Sequence, residues 1–176
     1  MKKKSSVFFR GKLIELRRGL KTLPDKRKVY MEEVSHPGAS LTVPVKDGKI
    51  IFIRQYRAVV DEYIWELPAG ILSPGERPVE CAVRELEEET GYSSLSVVKL
   101  GAIYTSPGFC DEKINVFLAV CGERGPVKRD EHEMITVRKF SPDQVRKMLK
   151  NGRITDSKTI SALAMAGVLR TISCRS

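Results

Sequence analysis

The chain has 176 residues, of which 41% are hydrophobic and 30% charged, with a formal net charge of +9. That length and balance fit one globular domain, alone or with a small appendage, and exclude a disordered or low-complexity chain. The positive charge favours polyanionic partners, whether nucleic acid, nucleotides or phosphorylated metabolites, without choosing among them.

In chain order, the basic start MKKKSS runs into VFFRGK and not into the apolar core of a secretory signal, so a cytoplasmic protein is expected. From Val7 to Val34 the pattern predicts short strands, with a turn at Pro24-Asp25. This basic region is taken as an N-terminal β lobe over residues 1–36, with the main domain over 37–176. His36-Pro37-Gly38 breaks the pattern, and LTVPV and KIIFIRQY then flank Lys46-Asp47-Gly48, a hairpin signature with Asp-Gly at the turn.

A helix is expected over VECAVRELEEET, with Pro78 near its first turn, Gly91 past its end, and Val79, Ala82, Val83 and Leu86 on its apolar face. LSVVKLGAIY and KINVFLAVC read as strands, the second nearly all apolar and therefore central. Ser141-Pro142-Asp143-Gln144 has the form of a capping box opening a helix to about Leu149, where Asn151-Gly152 stops it. A last helix is predicted from Asp156 or Ser157 to about Ile172, with Ile160, Leu163, Ala164, Val168 and Leu169 towards the core. Strands on both sides of one internal helix, with helices at the end, imply an α/β fold with a mixed sheet.

The apolar stretches Ile50 to Ile53 and Ile160 to Leu169 fall far short of the roughly 20 residues that span a bilayer, so no membrane helix is expected. Cys81, Cys110, Cys121 and Cys174 form no C-x-x-C pair, which signals neither a zinc site nor a disulfide framework. Reduced, mostly buried thiols are the expectation.

The chemistry concentrates in RELEEETGY. On a helix Glu85, Glu88 and Glu89 stand at i, i+3 and i+4 and converge on one face, near a C-terminal end where negative charge is disfavoured. Glu87 points elsewhere. Such a face is ordinarily just solvated, yet three converging carboxylates also suit a hard divalent cation, and Mg²⁺ takes oxygen ligands while keeping water for substrate phosphates. Arg84 can pair with Glu88 one turn on and with Glu76 in the preceding loop, as a planar guanidinium allows. Gly70 and Gly75 let that loop turn tightly, and Pro68-Ala69-Gly70 brings a backbone carbonyl within reach of the metal.

Residues 70–92, GILSPGERPVECAVRELEEETGY, match the Nudix box G-x5-E-x7-R-E-U-x-E-E-x-G-U, in which U is a bulky apolar residue. Only Tyr92, in place of an aliphatic residue, is a mild variant. The chain thus resembles the Nudix hydrolases, which cut a pyrophosphate linkage in a nucleoside diphosphate joined to another moiety. The resemblance implies an α/β/α sandwich, Mg²⁺ or Mn²⁺ held by Glu85, Glu88, Glu89 and the Ala69 carbonyl, and Arg84 and Glu76 as braces of loop and helix. Metal would lower the pKa of a bound water that attacks phosphorus.

IRQYRAVVDEYIWELPAG (53–70) and TSPGFCDEKINVFLA (105–119) resemble segments that mark ADP-ribose pyrophosphatases within that superfamily, with Pro107 at the recognising position. The likeness carries over Arg57, Glu66, Ser106, Pro107, Gly108 and Glu112 as substrate-binding: Arg57 as a bidentate phosphate donor, Ser106-Pro107-Gly108 as a rigid ligand wall, Glu112 near the terminal ribose. The loop RDEHEMITV is expected to supply a further catalytic glutamate, Glu133 first and Glu131 second. For the adenine, Phe8, Phe9, Arg10 and Tyr30 are candidates, although aromatic residues on strands more often belong to a core.

The implied function is hydrolysis of ADP-ribose to AMP and ribose 5-phosphate by a homodimer acting on a small-molecule substrate. Another nucleoside diphosphate derivative, such as a nucleotide sugar or dinucleoside polyphosphate, is the alternative. A non-catalytic nucleotide sensor or RNA-binding module is the rival of another class. An intact acidic box argues against the sensor, and the absence of a clustered basic and aromatic pattern argues against nucleic acid.

Overall fold

The computed structural model describes residues 6–126 and 135–169. The chain divides into two compact units, one of Met1–Gly38 with Tyr104–Lys113, the other of Ala39–Ile103 with Ile114–Ser176.

In the smaller unit, β1 (Ser6–Arg10), β2 (Glu15–Thr22) and β3 (Lys28–Ser35) form an antiparallel sheet in that order. The segment 104–113 joins this unit because β3 captures it. Val34 N–H donates to the Phe109 carbonyl (2.7 Å), Asp111 N–H donates to the Val34 carbonyl (3.0 Å), and the Asp111 carboxylate accepts from His36 N–H (2.7 Å). Phe8, Phe9 and Tyr30 are 63%, 53% and 60% exposed, so none of these adenine candidates has the core place that strand aromatics more often take. Among the described residues of this unit no helix covers the sheet, so its aromatic side chains have no apolar layer to enter.

The larger unit is built on a mixed sheet. Strand β4 (Ala39–Lys46) and strand β5 (Lys49–Arg57) form the expected hairpin; Asp47 and Gly48 both take positive φ, 52° and 69°, as a tight turn between twisted strands requires. Two short strands that the sequence did not announce follow, β6 (Glu62–Glu66) beside β5 and β7 (Ala69–Ile71) beside β4. Helix α1 (Pro78–Thr90) comes next, then β8 (Tyr92–Tyr104), β9 (Lys113–Arg124) and β10 (Ile135–Phe140). The main order is β10-β5-β4-β9-β8, with β9 interior and parallel to β4.

Alternation along the strands feeds two cores. Leu41, Val43, Ile50, Phe52, Ile114 and Val116 meet Val145 and Met148 of α2 (Pro142–Lys150) and Ala162 and Leu163 of α3 (Ser157–Met165). On the other face Ile51, Ala119 and Cys121 pack with Leu86 of α1 and Tyr92. The result is the expected α/β/α sandwich. Leu86 is fully buried, and truncating it to alanine is expected to cost about 2–5 kcal/mol.

Both predicted helix caps are present, Ser141 with Gln144 at α2 and Gly91 with φ 78° after α1. Helix α3 ends at Met165, short of the expected Ile172. Gly167, at φ 76°, sends its N–H to the Ala164 carbonyl while Val168 N–H reaches Leu163, a left-handed closure that stops the helix. Ala164, expected in the core, is exposed, and Ala162 is buried in its place. Among the described residues no helix is long and apolar enough to cross a membrane.

Candidate functional site

Helix α1 is fixed to the sheet by polar ties before its charges come into play. Ser40 Oγ donates to the Pro78 carbonyl (2.7 Å) and Thr42 Oγ1 to the Ala82 carbonyl (3.2 Å), both from the face of β4 opposite Leu41 and Val43. At the far end, Arg124 Nε donates to the Thr90 carbonyl (3.2 Å) and Gly125 N–H to that of Gly91 (2.8 Å). A cation from β9 thus serves the negative pole that the helix's own last turn, lacking basic residues, leaves unbalanced.

Arg84 is the hub of the acidic face. Its Nε and Nη2 hold Glu76 (2.8 and 3.1 Å), its Nη1 holds both Glu85 (2.6 Å) and Glu88 (2.9 Å), and Nη2 also reaches the Ile71 carbonyl (3.3 Å). The expected partners Glu76 and Glu88 are both there. Arg84, with Ser73 N–H assisting, holds the Glu76 carboxyl at about 2, well below its ordinary 4.5, and Glu76 in turn leads the set of carboxylates that raise Arg84. Beneath them Cys81 is buried, and burial, with the charges of Glu76 and Glu85, pushes its thiol up to about 11.

Glu89 is buried on the same side of the helix, and its Oε2 accepts from Ala69 N–H (3.1 Å). Gly70 follows on β7, and a Cβ there would overlap the Glu85 carboxylate. The Glu85 carboxylate therefore occupies the space a side chain at position 70 would need and would have to move for one, while Gly75, at φ 78°, supplies the turn between loop and helix.

Among the described residues no three His, Cys, Asp or Glu side chains are gathered into a ready metal cage. Arg84 is the physical reason, since one of its nitrogens stands between Glu85 and Glu88. The donor set itself suits a hard divalent cation: carboxylate oxygens alone, on one helix face, with the Gly70 backbone against Glu85.

A second charged cluster lies in the same unit. Arg57 at the end of β5 grips Glu66 with Nε and Nη2, each at 2.7 Å, and Lys158 of α3 adds Nζ at 2.6 Å. The Glu66 side chain is 1% exposed. Burial pushes its carboxyl up, but Arg57 and Lys158 together outweigh burial and hold it below its ordinary value. Arg57 is held above its ordinary range by the hydrogen bond to Glu66, and the charges of Glu66, Glu89 and Asp156 act in the same direction, which links this cluster to α1. Lys158 carried no signal in the sequence, because it meets Glu66 across 92 positions.

Ser106, Pro107, Gly108 and Glu112 belong to the smaller unit. Ser106 accepts at its carbonyl from Phe109 N–H (3.1 Å) and Cys110 N–H (2.8 Å), closing the turn over Pro107-Gly108, and Thr105 Oγ1 donates to Glu112 (2.8 Å). Phe8 carries the Arg18 guanidinium 4.5 Å above its ring, in a groove that also touches Leu16, Val34 and Phe109. Glu133 and Glu131 lie outside the described residues.

The family model of the NUDIX domain matches residues 34–163. An ADP-ribose pyrophosphatase of Bacillus subtilis is 41% identical over 160 residues, covering 88% of this chain and 85% of that protein. A methanol dehydrogenase activator of Bacillus methanolicus is 36% identical, covering 91% and 88%, and an ADP-ribose pyrophosphatase of Mycobacterium tuberculosis is 35% identical, covering 94% and 79%. A crystal structure of an ADP compounds hydrolase superposes with a TM-score of 0.80 at 21% identity, over 93% of this chain and 90% of that one, and so shares the fold. With the box glutamates gathered around Arg84 and Ala69 and the family model spanning most of the sequence, the chain belongs to the Nudix family.

Proposed function

We propose that this Nudix enzyme hydrolyses the pyrophosphate of ADP-ribose to AMP and ribose 5-phosphate, with Mg²⁺ or Mn²⁺, as a cytoplasmic homodimer. The observation that carries the chemistry is the Arg84 hub with Glu85 and Glu88 beside Glu89 on Ala69, a set of carboxylates in which Glu85 fills the space over Gly70. The choice of substrate is supported by relatives named ADP-ribose pyrophosphatase in Bacillus subtilis and Mycobacterium tuberculosis. Free thiols at Cys81, Cys110 and Cys121 suit a reducing compartment.

In this reading Glu85, Glu88, Glu89 and the Ala69 carbonyl hold the divalent cation, which when bound neutralises phosphate charge and makes water a better nucleophile. Arg84 carries the carboxylates' mutual repulsion when no cation is present and braces the loop through Glu76. Arg57 donates to a phosphoryl oxygen, with Glu66 fixing the plane of its guanidinium. One water adds to phosphorus, the bridging P–O bond breaks, and the proton passes to Glu133, or to Glu131 in the other register of that loop. Glu112 accepts from the terminal ribose, Ser106-Pro107-Gly108 forms a wall, and the N-terminal lobe, residues 1–36, supplies an apolar surface for adenine and the dimer contact.

A panel of nucleoside diphosphate derivatives assayed for nucleoside monophosphate release with Mg²⁺ tests the proposal. ADP-ribose should give the highest kcat/KM. A nucleotide sugar or dinucleoside polyphosphate turned over at higher kcat/KM would replace the substrate and keep the chemistry, and no turnover of any member would sink both.

A further inference from the structure

Lys158 sits in the first turn of α3, where a cation faces the positive pole of its own helix. That locally unfavourable position makes sense only through its partners. Its ammonium meets Glu66 Oε2 at 2.6 Å and Asp156 Oδ1 at 2.8 Å, and its side chain is 19% exposed. The same turn fixes the neighbouring backbone, since Thr159 Oγ1 accepts from Leu67 N–H (2.9 Å) while Asp156 caps the helix through Thr159 N–H (3.0 Å). One helical turn therefore grips the consecutive residues Glu66 and Leu67, which lead directly into Ala69 and Gly70.

Glu66 is almost fully buried and the Arg57 side chain is 39% exposed, with the Nε–Nη2 edge of the guanidinium turned to Glu66. A lone bidentate carboxylate would fix that edge and also cancel much of its charge. Here Arg57 Nη2 and Lys158 Nζ share the same oxygen, at 2.7 and 2.6 Å. Lys158 takes up part of the Glu66 charge, and the Arg57 guanidinium stays cationic.

We infer that Lys158 is a positioning residue of the reaction site: from the far side of Glu66 it sets the orientation and effective charge of Arg57, and so the affinity for the substrate's phosphates. The inference rests on the reading of Arg57 as a phosphate contact.

The test uses the full chain with Lys158→Met, Lys158→Arg and Arg57→Lys. Steady-state kinetics on ADP-ribose with Mg²⁺ are compared with ADP-ribose binding in EDTA, where there is no turnover, and with thermal midpoints. Lys158→Met should raise KM about tenfold, the loss of one charged hydrogen bond, with little change in kcat, and weaken binding in EDTA in parallel. Lys158→Arg should restore most of the affinity. A Lys158→Met protein with lowered thermal midpoint but unchanged KM and binding would overturn the inference, leaving the lysine a structural ion pair. If Arg57→Lys also leaves KM unchanged, the reading of Arg57 itself fails; if it raises KM while Lys158→Met does not, that reading stands and only the inference falls. Should Lys158→Met not fold, Lys158→Gln, which keeps a donor without charge, is measured in the same way, with a raised KM supporting the inference and an unchanged one overturning it.

Discussion

Gly70 lies so close to Glu85 that a methyl group on its Cα would overlap the Glu85 carboxylate. Its backbone is not among the left-handed glycines, so space and not conformation is what the position demands. Gly70→Ala should therefore leave a folded protein whose Glu85 is pushed off its place on Arg84. Activity should fall on the order of 10- to 100-fold, as for displaced supports of a metal site. Kinetics alongside a thermal melt check this, and a variant with wild-type kcat would mean that Glu85 has room the geometry denies it.

Glu76 ties the loop to Arg84 as a carboxylate held at about 2 against an ordinary 4.5. A depressed folded value contributes stability that is fully present above the unfolded value and is lost as pH falls through the folded one. The thermal midpoint of Glu76→Gln should thus lie below wild type at pH 7, with the gap closing between about pH 4.5 and 2. A gap that stays constant over that interval would show that the Glu76 charge contributes nothing.

Glu89→Gln removes charge while keeping volume and an oxygen able to accept from Ala69 N–H. The fold should persist, and kcat on ADP-ribose should drop on the order of 10²–10³, the scale of losing one preorganised electrostatic contact. Retained turnover at saturating Mg²⁺ would remove Glu89 from the metal site.

Much of this was legible from local signals. Asp47-Gly48 announced its hairpin, Pro78 and Gly91 bracketed α1, and Ser141 with Gln144 capped α2, because each is a constraint that acts within a few residues. The pairing of Arg84 with Glu76 and Glu88 followed from helix geometry and loop length. What failed was longer in reach or subtler in kind. Gly167 lies inside an apolar run whose periodicity outlasts the helix, so the pattern predicts a longer α3 than forms. Strand β7, with three residues, is too short for an alternating pattern to register, and β6, EYIWE, sets three apolar or aromatic residues side by side without alternation. Lys158 and Arg124 act on groups that only the fold brings to them. The exposure of Phe8, Phe9 and Tyr30 was not legible, because strand composition says nothing of which sheet will be covered.

Those aromatics carry the last prediction. Strand β1 is exposed at all five positions and lies at the edge of its sheet, with Val7, Phe8 and Phe9 at 43%, 63% and 53% exposed. An apolar edge strand with unpaired backbone groups is a template for pairing with another chain, and proteins ordinarily cover it, charge it or use it. Arg18 stacks on Phe8 but leaves Phe9 and Tyr30 to solvent. The proposed homodimer gives this surface an occupant, a second copy of the same lobe. Light scattering on the purified protein should return twice the chain mass, and the double variant Phe8→Asp, Phe9→Asp should return the monomer mass with its far-ultraviolet dichroism retained. A monomeric wild type at micromolar concentration would sink the dimer, and a dimeric double variant would move the interface away from β1.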